Sequence, residues 1–556
     1  MRLELFLARH RVWVAFGLFG LTALSLLALT PRAPHLFDDG IILTNAQRVL
    51  AGEVPHRDFY SNYGPGQPYA VAAIMALFGP DLFAARAYGA VTMALSVALG
   101  YLIVSAQLKP KISLAVAGIA ALWMIGSDFH LYPIYPPLIL IFLAVLLLMR
   151  PEAFSERWPI LLAGMCAGCV ALFRYDTGFF VLAAELIFIV FAAKPTAGLL
   201  ERVRSAFWPC ILAGLGSALA FFPFAISFLL VAPLEPFLRD ILEISGVYRE
   251  MRGLPFPGLS ELVAKPAKMG VYFPFFITII AIADLLRGPN VSQSGEQPNQ
   301  QRRLFLLEMI LTLFTTILIY KGLVRVSVIH SILAIIPGTF LAGVVAQRWM
   351  NASGALRSFA NALLAMSLLP AWMFSVEPVR EALSRPSQTT FGWAAGVDDA
   401  RTDCPQEHPT LLPEDYEIVS RFLERHVPED ERILIGLSRH DRVFVNPMVL
   451  YASANRLPAT MWAQYDPGVQ TTRSVQEEMV RDLQSAGVRW VVRDGNFDDI
   501  REPNGSARSS GVTLLDDYLD AAFRPIASSG SISIWLAKDI APPMIREGER
   551  CVPEPL

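Results

Sequence analysis

Apolar residues along this chain gather into long, nearly uninterrupted runs rather than the short periodic clusters of a water-soluble fold. Eleven runs stand out, at 12–30, 81–106, 111–127, 132–149, 158–173, 178–193, 206–232, 270–286, 304–320, 328–347 and 357–375. About 20 apolar residues in a helix cross a bilayer core, so each run is expected to be a transmembrane helix. The runs at 158–173 and 178–193 are short. Arg174-Tyr175-Asp176 between them is too polar for the centre of one long span, so two helices are expected. Arg9 and Arg11 precede the first run, which is long enough to span and ends in no small-x-small cleavage site. It reads as a membrane helix rather than a removed signal.

Beyond about residue 375 charge, proline and turn residues return. Helical spacing at 416–426, 475–485 and 514–523 alternates with strand-like runs at 433–437, 488–492 and 531–536. That alternation favours a small α/β domain with a partly parallel sheet. The expected fold is thus a polytopic α-helical membrane module over 1–375, its first external loop at 31–80 carrying interfacial helices, followed by a soluble α/β domain over 376–556. Composition agrees: 54% of the 556 residues are hydrophobic and 17% charged, against about 25% charged in soluble domains. A net charge of −3 argues against a nucleic-acid partner.

Basic residues alternate between the connecting loops. Arg2, Arg9, Arg11, Lys109, Lys111, Arg150, Arg157, Lys194, Arg202, Arg204, Arg287, Arg302, Arg303, Arg348 and Arg357 fall on one side. The bias toward positive cytoplasmic loops makes that side the inner one, and an odd number of spans then places the tail outside. Cys166 and Cys169 form a C-x-x-C inside an apolar run and read as buried small residues rather than a metal or redox pair. Cys404 and Cys551 bracket the tail and would pair in an extracytoplasmic setting. In the tail, Ser438-Arg439-His440-Asp441-Arg442 juxtaposes serine, histidine and aspartate, but sequential neighbours do not form a triad; it reads as a polar loop after a strand. No glycine-rich phosphate loop opens a helix there, so the tail reads as accessory or acceptor-facing.

The first external loop is too patterned to be a mere connection. Asp38 and Asp39 stand at the outer end of the first run. Ile42, Ala46, Val49 and Leu50 then recur at helical spacing, stopped by Gly52. A turn-rich stretch follows from Pro55 to Gly66, and the apolar run 69–78 is too short to cross and reads as interfacial. Two readings of the acidic pair stand side by side. Either carboxylate would cap the following helix, or it would serve as general base for a transfer at the membrane surface. In the second case cationic groups are needed to hold a departing phosphate.

The residues Asp38-Asp39, Ala46-Gln47-Arg48-Val49-Leu50-Ala51-Gly52-Glu53-Val54-Pro55, Arg57-Asp58-Phe59, Tyr63-Gly64-Pro65-Gly66 and Leu77-Phe78-Gly79, in that order and place, resemble the GT-C superfamily of membrane glycosyltransferases. The resemblance is greatest to bacterial relatives of protein O-mannosyltransferases and of the lipid A aminoarabinose transferase. It implies an inverting transfer from a polyprenyl-phosphate-linked sugar donor to an extracytoplasmic glycolipid, polysaccharide or protein, at the bacterial inner membrane and among its lipids. It carries the catalytic carboxylate onto Asp38 and its acidic neighbour onto Asp39, with Asp58 as the match for a later acid. Several members use a divalent cation, for which Asp38, Asp39 or Asp58 would be ligands. Lys321 and Arg325 resemble the basic residues that hold the lipid phosphate, although interface-snorkelling side chains would look the same.

Other polar residues carry two readings each. Arg174 and Asp176 either face substrate or form an internal ion pair. Asp128 and His130 are metal ligands or, more simply, a solvated loop end. Glu185, inside an apolar run, has no assigned role. A lipid-linked sugar transporter or flippase is the competing class, but neither an internal repeat nor paired broken helices support it. An O-antigen-type ligase or polymerase would place its large loop late among the spans. Alkaline phosphatase fused after residue 380 is expected to be active; activity of a cytoplasmic reporter at the same junction would mean that the span count is off by one.

Overall fold

A computed structural model describes residues 2–30, 34–194, 198–232, 234–288, 298–351, 355–384, 412–543 and 554–555. Every expected span is helical. The helices are α1 (Arg11–Leu29), α2 (Asp38–Leu50), α3 (Gly66–Phe78), α4 (Leu82–Ser105), α5 (Pro110–Ile125), α6 (Tyr135–Leu148), α7 (Trp158–Phe173), α8 (Tyr175–Ala193), α9 (Leu199–Val231), α10 (Phe273–Leu286), α11 (Pro298–Val324), α12 (Val328–Asn351) and α13 (Ala355–Ser384). Among the described residues eight helices are long and apolar enough to cross a membrane. The expected spans that become α5, α6 and α7 form apolar helices of 16, 14 and 16 residues. This is a multi-pass membrane protein. Its chain gathers into two compact units, residues 1–30, 86–228 and 255–386 in the first, and 31–85, 229–254 and 387–556 in the second.

In the first unit α12 is the central helix, with every residue from Ser331 to Gln347 buried against α5, α10, α11 and α13. Small residues let other helices approach closely: a Cβ on Gly164 of α7 would meet the Ala213 carbonyl oxygen of α9 at 2.0 Å, and one on Gly216 of α9 would meet that of Leu161 at 2.0 Å. Close backbone approach replaces the hydrophobic drive that lipid cannot supply. A buried ion cluster joins three more helices. Arg348 of α12 lies 3.1 Å from Asp284 of α10 and also pairs with Glu308 of α11, while Trp349 Nε1 donates to Asp284 at 2.9 Å.

The second unit contains a five-stranded sheet of β1 (Leu434–Leu437), β2 (Trp490–Asp494), β3 (Phe523–Ser529), β4 (Ile532–Ala537) and β5 (Glu554–Pro555), in the order β1-β2-β4-β3-β5. Only β1 and β2 run parallel; the remaining pairs are antiparallel. Helices α14 (Glu414–His426), α15 (Arg473–Ser485) and α16 (Leu514–Ala522) bury the faces that their periodicity marks, as with Tyr416, Val419, Phe422 and Leu423 on α14. Strand β3 has no counterpart in the sequence reading. Pro525 and the small polar residues Ser528 and Ser529 give it no apolar alternation, and what makes it a strand is its hairpin with β4 through Gly530, at φ 52°.

The first external loop builds into this second unit. Its Tyr60 belongs to the same buried cluster as Leu434, Trp462 and Val491. Helix α2 runs from Asp38 to Leu50, with Gly52 at φ 86° just past its end, as the stop signal predicted. It packs on residues 448–452: Thr44 Oγ1 donates to the Met448 carbonyl at 3.0 Å and Gln47 Nε2 to that of Ala452 at 3.2 Å. Gly40 makes the closest approach, since a Cβ there would lie 2.2 Å from the Val449 backbone nitrogen. Gly40→Ala is therefore expected to destabilise the unit by about 1–3 kcal/mol through overpacking, read as a lowered unfolding midpoint and faster proteolysis of 31–60. Gly246→Ala, inside the helix Ile244–Arg252 and where a Cβ would meet nothing within 4 Å, is the control expected to lower neither the midpoint nor the resistance to proteolysis.

Candidate functional site

The acidic pair sits in the first turn of α2, while Phe37, whose side chain makes no cap bond, holds the cap position. Both acids lie one and two residues inside the helix rather than at its cap position, and a helix N-terminus still favours carboxylates there. The two differ in surroundings. Asp39 is fully buried and accepts the His35 backbone N–H at 3.0 Å; Asp38 is only half-buried. Of the pair, Asp38 is the more exposed.

Buried charge fixes the loop beyond α2. Arg48, 2% exposed, donates to the carbonyls of Asp58 at 2.6 Å and Thr460 at 3.1 Å and pairs with Glu53, and its guanidinium lies 4.9 Å over the Phe59 ring. Asp58 closes the turn at 54–58: it accepts the Val54 N–H at 2.7 Å and pairs with Arg57 at 2.6 Å. Partial burial would raise its pKa, but the hydrogen bonds from Arg57 and Val54 outweigh that and hold it below the ordinary carboxylate range. Its carboxylate is engaged in this local turn.

The segment 234–252, one turn of which is a π-helix at Arg239–Glu243, is held in the same unit by charged contacts. His56 Nδ1 lies 2.8 Å from Asp240 Oδ2, both side chains fully buried. His56 has φ 64°, a conformation few non-glycine residues adopt. Burial raises the pKa of Asp240 above the ordinary range, with His56 pulling it back. Arg239 lies 4.5 Å over the Trp462 ring. Arg252 donates to Asp466 at 2.6 Å and lies 5.4 Å over the ring of Phe37, the residue before Asp38. Asp466 is also bound by Gln464 at 2.7 Å and Tyr60 at 3.3 Å. None of these long-range partners was singled out in the sequence, where Arg252 and Asp466 stand 214 residues apart without a shared motif.

A second group of candidates lies in the first unit. Backbone at Arg174 breaks to φ −150° and ψ 109° between α7 and α8, so the polar tripeptide separates two helices as expected. Arg174 Nη2 donates to Asp176 Oδ2 at 3.1 Å, and Asp176 also caps the Thr177 N–H at 2.8 Å. Thr177 Oγ1 meets the Tyr320 hydroxyl at 3.2 Å, and Lys321, next in sequence, interacts electrostatically with both Arg174 and Asp176. Arg174, Asp176 and Lys321 therefore lie in one cluster. Arg325 lies just past the end of α11 and is half-buried. Tyr320 is the member that sequence reading missed; its position beside Lys321 was the available signal.

Other expectations fare differently. His130 is not part of a solvated end: it is 3% exposed and its Nδ1 lies 3.3 Å from Thr30 Oγ1. Among the described residues no three His, Cys, Asp or Glu side chains group to hold a metal ion, and the Asp58 carboxylate pairs with Arg57. Cys166 and Cys169 are free thiols of intermediate exposure rather than fully buried residues. Cys404 and Cys551 lie outside the described residues. In the tail His440 is buried between Asp516, 2.8 Å from its Nδ1, and Tyr465, 3.2 Å from its Nε2. The Ser438–Arg442 loop is thus polar, as read, but its histidine points inward.

No protein-family description and no curated protein matches the chain. Solved structures do. ArnT from Cupriavidus metallidurans bound to undecaprenyl phosphate is 11% identical, with a TM-score of 0.53, over 96% of this chain and 99% of that one. The apo form of the same protein gives 12% identity and a TM-score of 0.53 over 94% and 97%. The chain shares the fold of that protein. The likeness spans nearly the whole chain, membrane helices, first loop and tail included.

Asp466→Ala is expected to free the 234–252 segment. A hydrogen bond between charged groups is worth about 1.5–3 kcal/mol, so amide exchange across 234–252 should speed up at least about tenfold while β2 keeps its protection. Unchanged exchange in the segment would mean that Arg252 and Asp466 do not hold it.

Proposed function

We propose that this chain is an inverting glycosyltransferase of the bacterial inner membrane that moves a sugar from a polyprenyl-phosphate donor to an extracytoplasmic acceptor. The observation that carries the reading is the contrast within the acidic pair: a half-buried Asp38 at the start of a helix, beside an Asp39 that is fully buried and bonded to backbone. Similarity of fold to a protein crystallised with undecaprenyl phosphate supports the donor class.

In this reading the acceptor hydroxyl gives its proton to the Asp38 carboxylate as its oxygen bonds to the anomeric carbon. The bond from that carbon to the phosphate oxygen breaks on the opposite face, and its electron pair leaves with the lipid phosphate. A single displacement of this kind inverts the anomeric centre. The departing phosphate gains negative charge, which positive side chains stabilise. Lys321 and Arg325 take that role, and Arg174, tethered by Asp176, keeps its guanidinium oriented beside Lys321. Asp39 supports Asp38 through the turn they share. The tail faces the acceptor.

Asp38→Asn preserves size and much of the hydrogen bonding but removes the proton acceptor. With purified protein, transfer should fall by about 10²–10⁴ while undecaprenyl phosphate binding stays within twofold. In the same assay Lys321→Gln/Arg325→Gln should weaken that binding at least tenfold. Near-normal turnover by the Asp38 variant would sink the base assignment, and unchanged binding by the double variant would return Lys321 and Arg325 to interface anchors.

A further inference from the structure

A recess of about 560 Å³ in the first unit lies between α6 and α7. This is the size of a small-molecule pocket, ~300–1,000 Å³, but the lining is almost wholly aliphatic. Leu143 of α6 and Leu162 of α7 line it, 36% and 37% exposed, and Leu140 with Cys169 lies toward one end. Toward the other is Arg150, the one charged residue that lines it. From Leu140 to Arg150 is ten residues, ~15 Å at 1.5 Å per helical residue. That is half of a hydrocarbon core of about 30 Å, so the groove is as long as one leaflet is deep.

Its charged end is built as a membrane interface is built. The Arg150 guanidinium lies 4.9 Å over the ring of Trp158, and the Trp158 indole N–H donates to Glu156 at 2.7 Å. The aromatic face restrains the cation, and the Glu156 carboxylate is engaged by the indole. Tryptophan and arginine favour headgroup depth, and basic pockets between membrane helices bind anionic lipid headgroups. We infer that the groove between α6 and α7 holds one acyl chain of an anionic bilayer phospholipid, whose phosphate pairs with Arg150. The charge bias of the loops makes the leaflet the cytoplasmic one. This site draws on neither Asp38 nor the Lys321 cluster, and it stands apart from the transferase reading.

The test uses the delipidated full-length chain in neutral detergent, titrated with phosphatidylglycerol or phosphatidylcholine of matched chains and read by native mass spectrometry. The wild type should bind phosphatidylglycerol about fivefold more tightly, the worth of one basic residue near a charged headgroup. Arg150→Gln should erase that preference while keeping phosphatidylcholine binding. Leu143→Trp, which fills the groove, should weaken both. Equal binding of the two lipids by the wild type, or a preference that survives Arg150→Gln, would overturn the proposal. So would undecaprenyl phosphate displacing phosphatidylglycerol at equimolar amounts, which would make the groove a carrier site. A dimer lost in Leu143→Trp would also overturn it, since it would mean that a second copy covers the face.

Discussion

The second unit depends on one contact, the seating of α2 on the backbone at residues 448–449. There Gly40 leaves no room for a side chain beside the Val449 nitrogen. The approach brings the Val449 N–H to the Leu36 carbonyl at 2.9 Å and sets Thr44 and Gln47 on the next carbonyls. Once α2 is seated, Arg48 is carried into the interior, and a buried guanidinium must find acceptors. It finds them in Glu53, Asp58 and Thr460, so the turn that follows α2 is determined by the same docking. Asp38 starts this helix, and its position follows from the backbone contact at Gly40, two residues on.

The 234–252 segment adds a second restraint. Arg252 touches both Asp466 of the tail and the ring of Phe37. Three stretches far apart in sequence therefore meet around the residues that precede the acidic pair. In the membrane unit the corresponding constraint is close helix contact at glycine and the burial of Asp284 and Glu308 around Arg348. The two units solve the same problem, buried polarity, with the same device of paired charges.

Membrane helices were legible because a bilayer demands a local signal, length and apolarity, that no distant residue can replace. The loop helix was legible too, from its spacing and the stop at Gly52. Strand β3 was not, because its pairing partner rather than its own residues makes it extended. Among site residues, the acidic pair announced itself by position, and Arg174 with Asp176 by polarity inside an apolar region. Tyr320, Arg252 and Asp466 did not. Their meaning lies in partners more than a hundred residues away, and a single sequence holds no record of such pairings. His130 misled for the opposite reason: a histidine near a loop reads as solvated until a threonine a hundred residues earlier is found bonded to its ring.

The docking of α2 also sets an order of events during synthesis. Thr44 and the carbonyl it binds are separated by 404 residues, and ribosomes add roughly 5–20 residues each second. For some 20–80 s, then, the loop helix has left the ribosome while the surface that will hold it does not yet exist. Its buried arginine must stay in water or at the membrane surface over that interval. The acidic pair acquires its final setting only when the last third of the chain arrives, so a chain cut short before the tail would carry its proposed catalytic carboxylate on an unanchored helix.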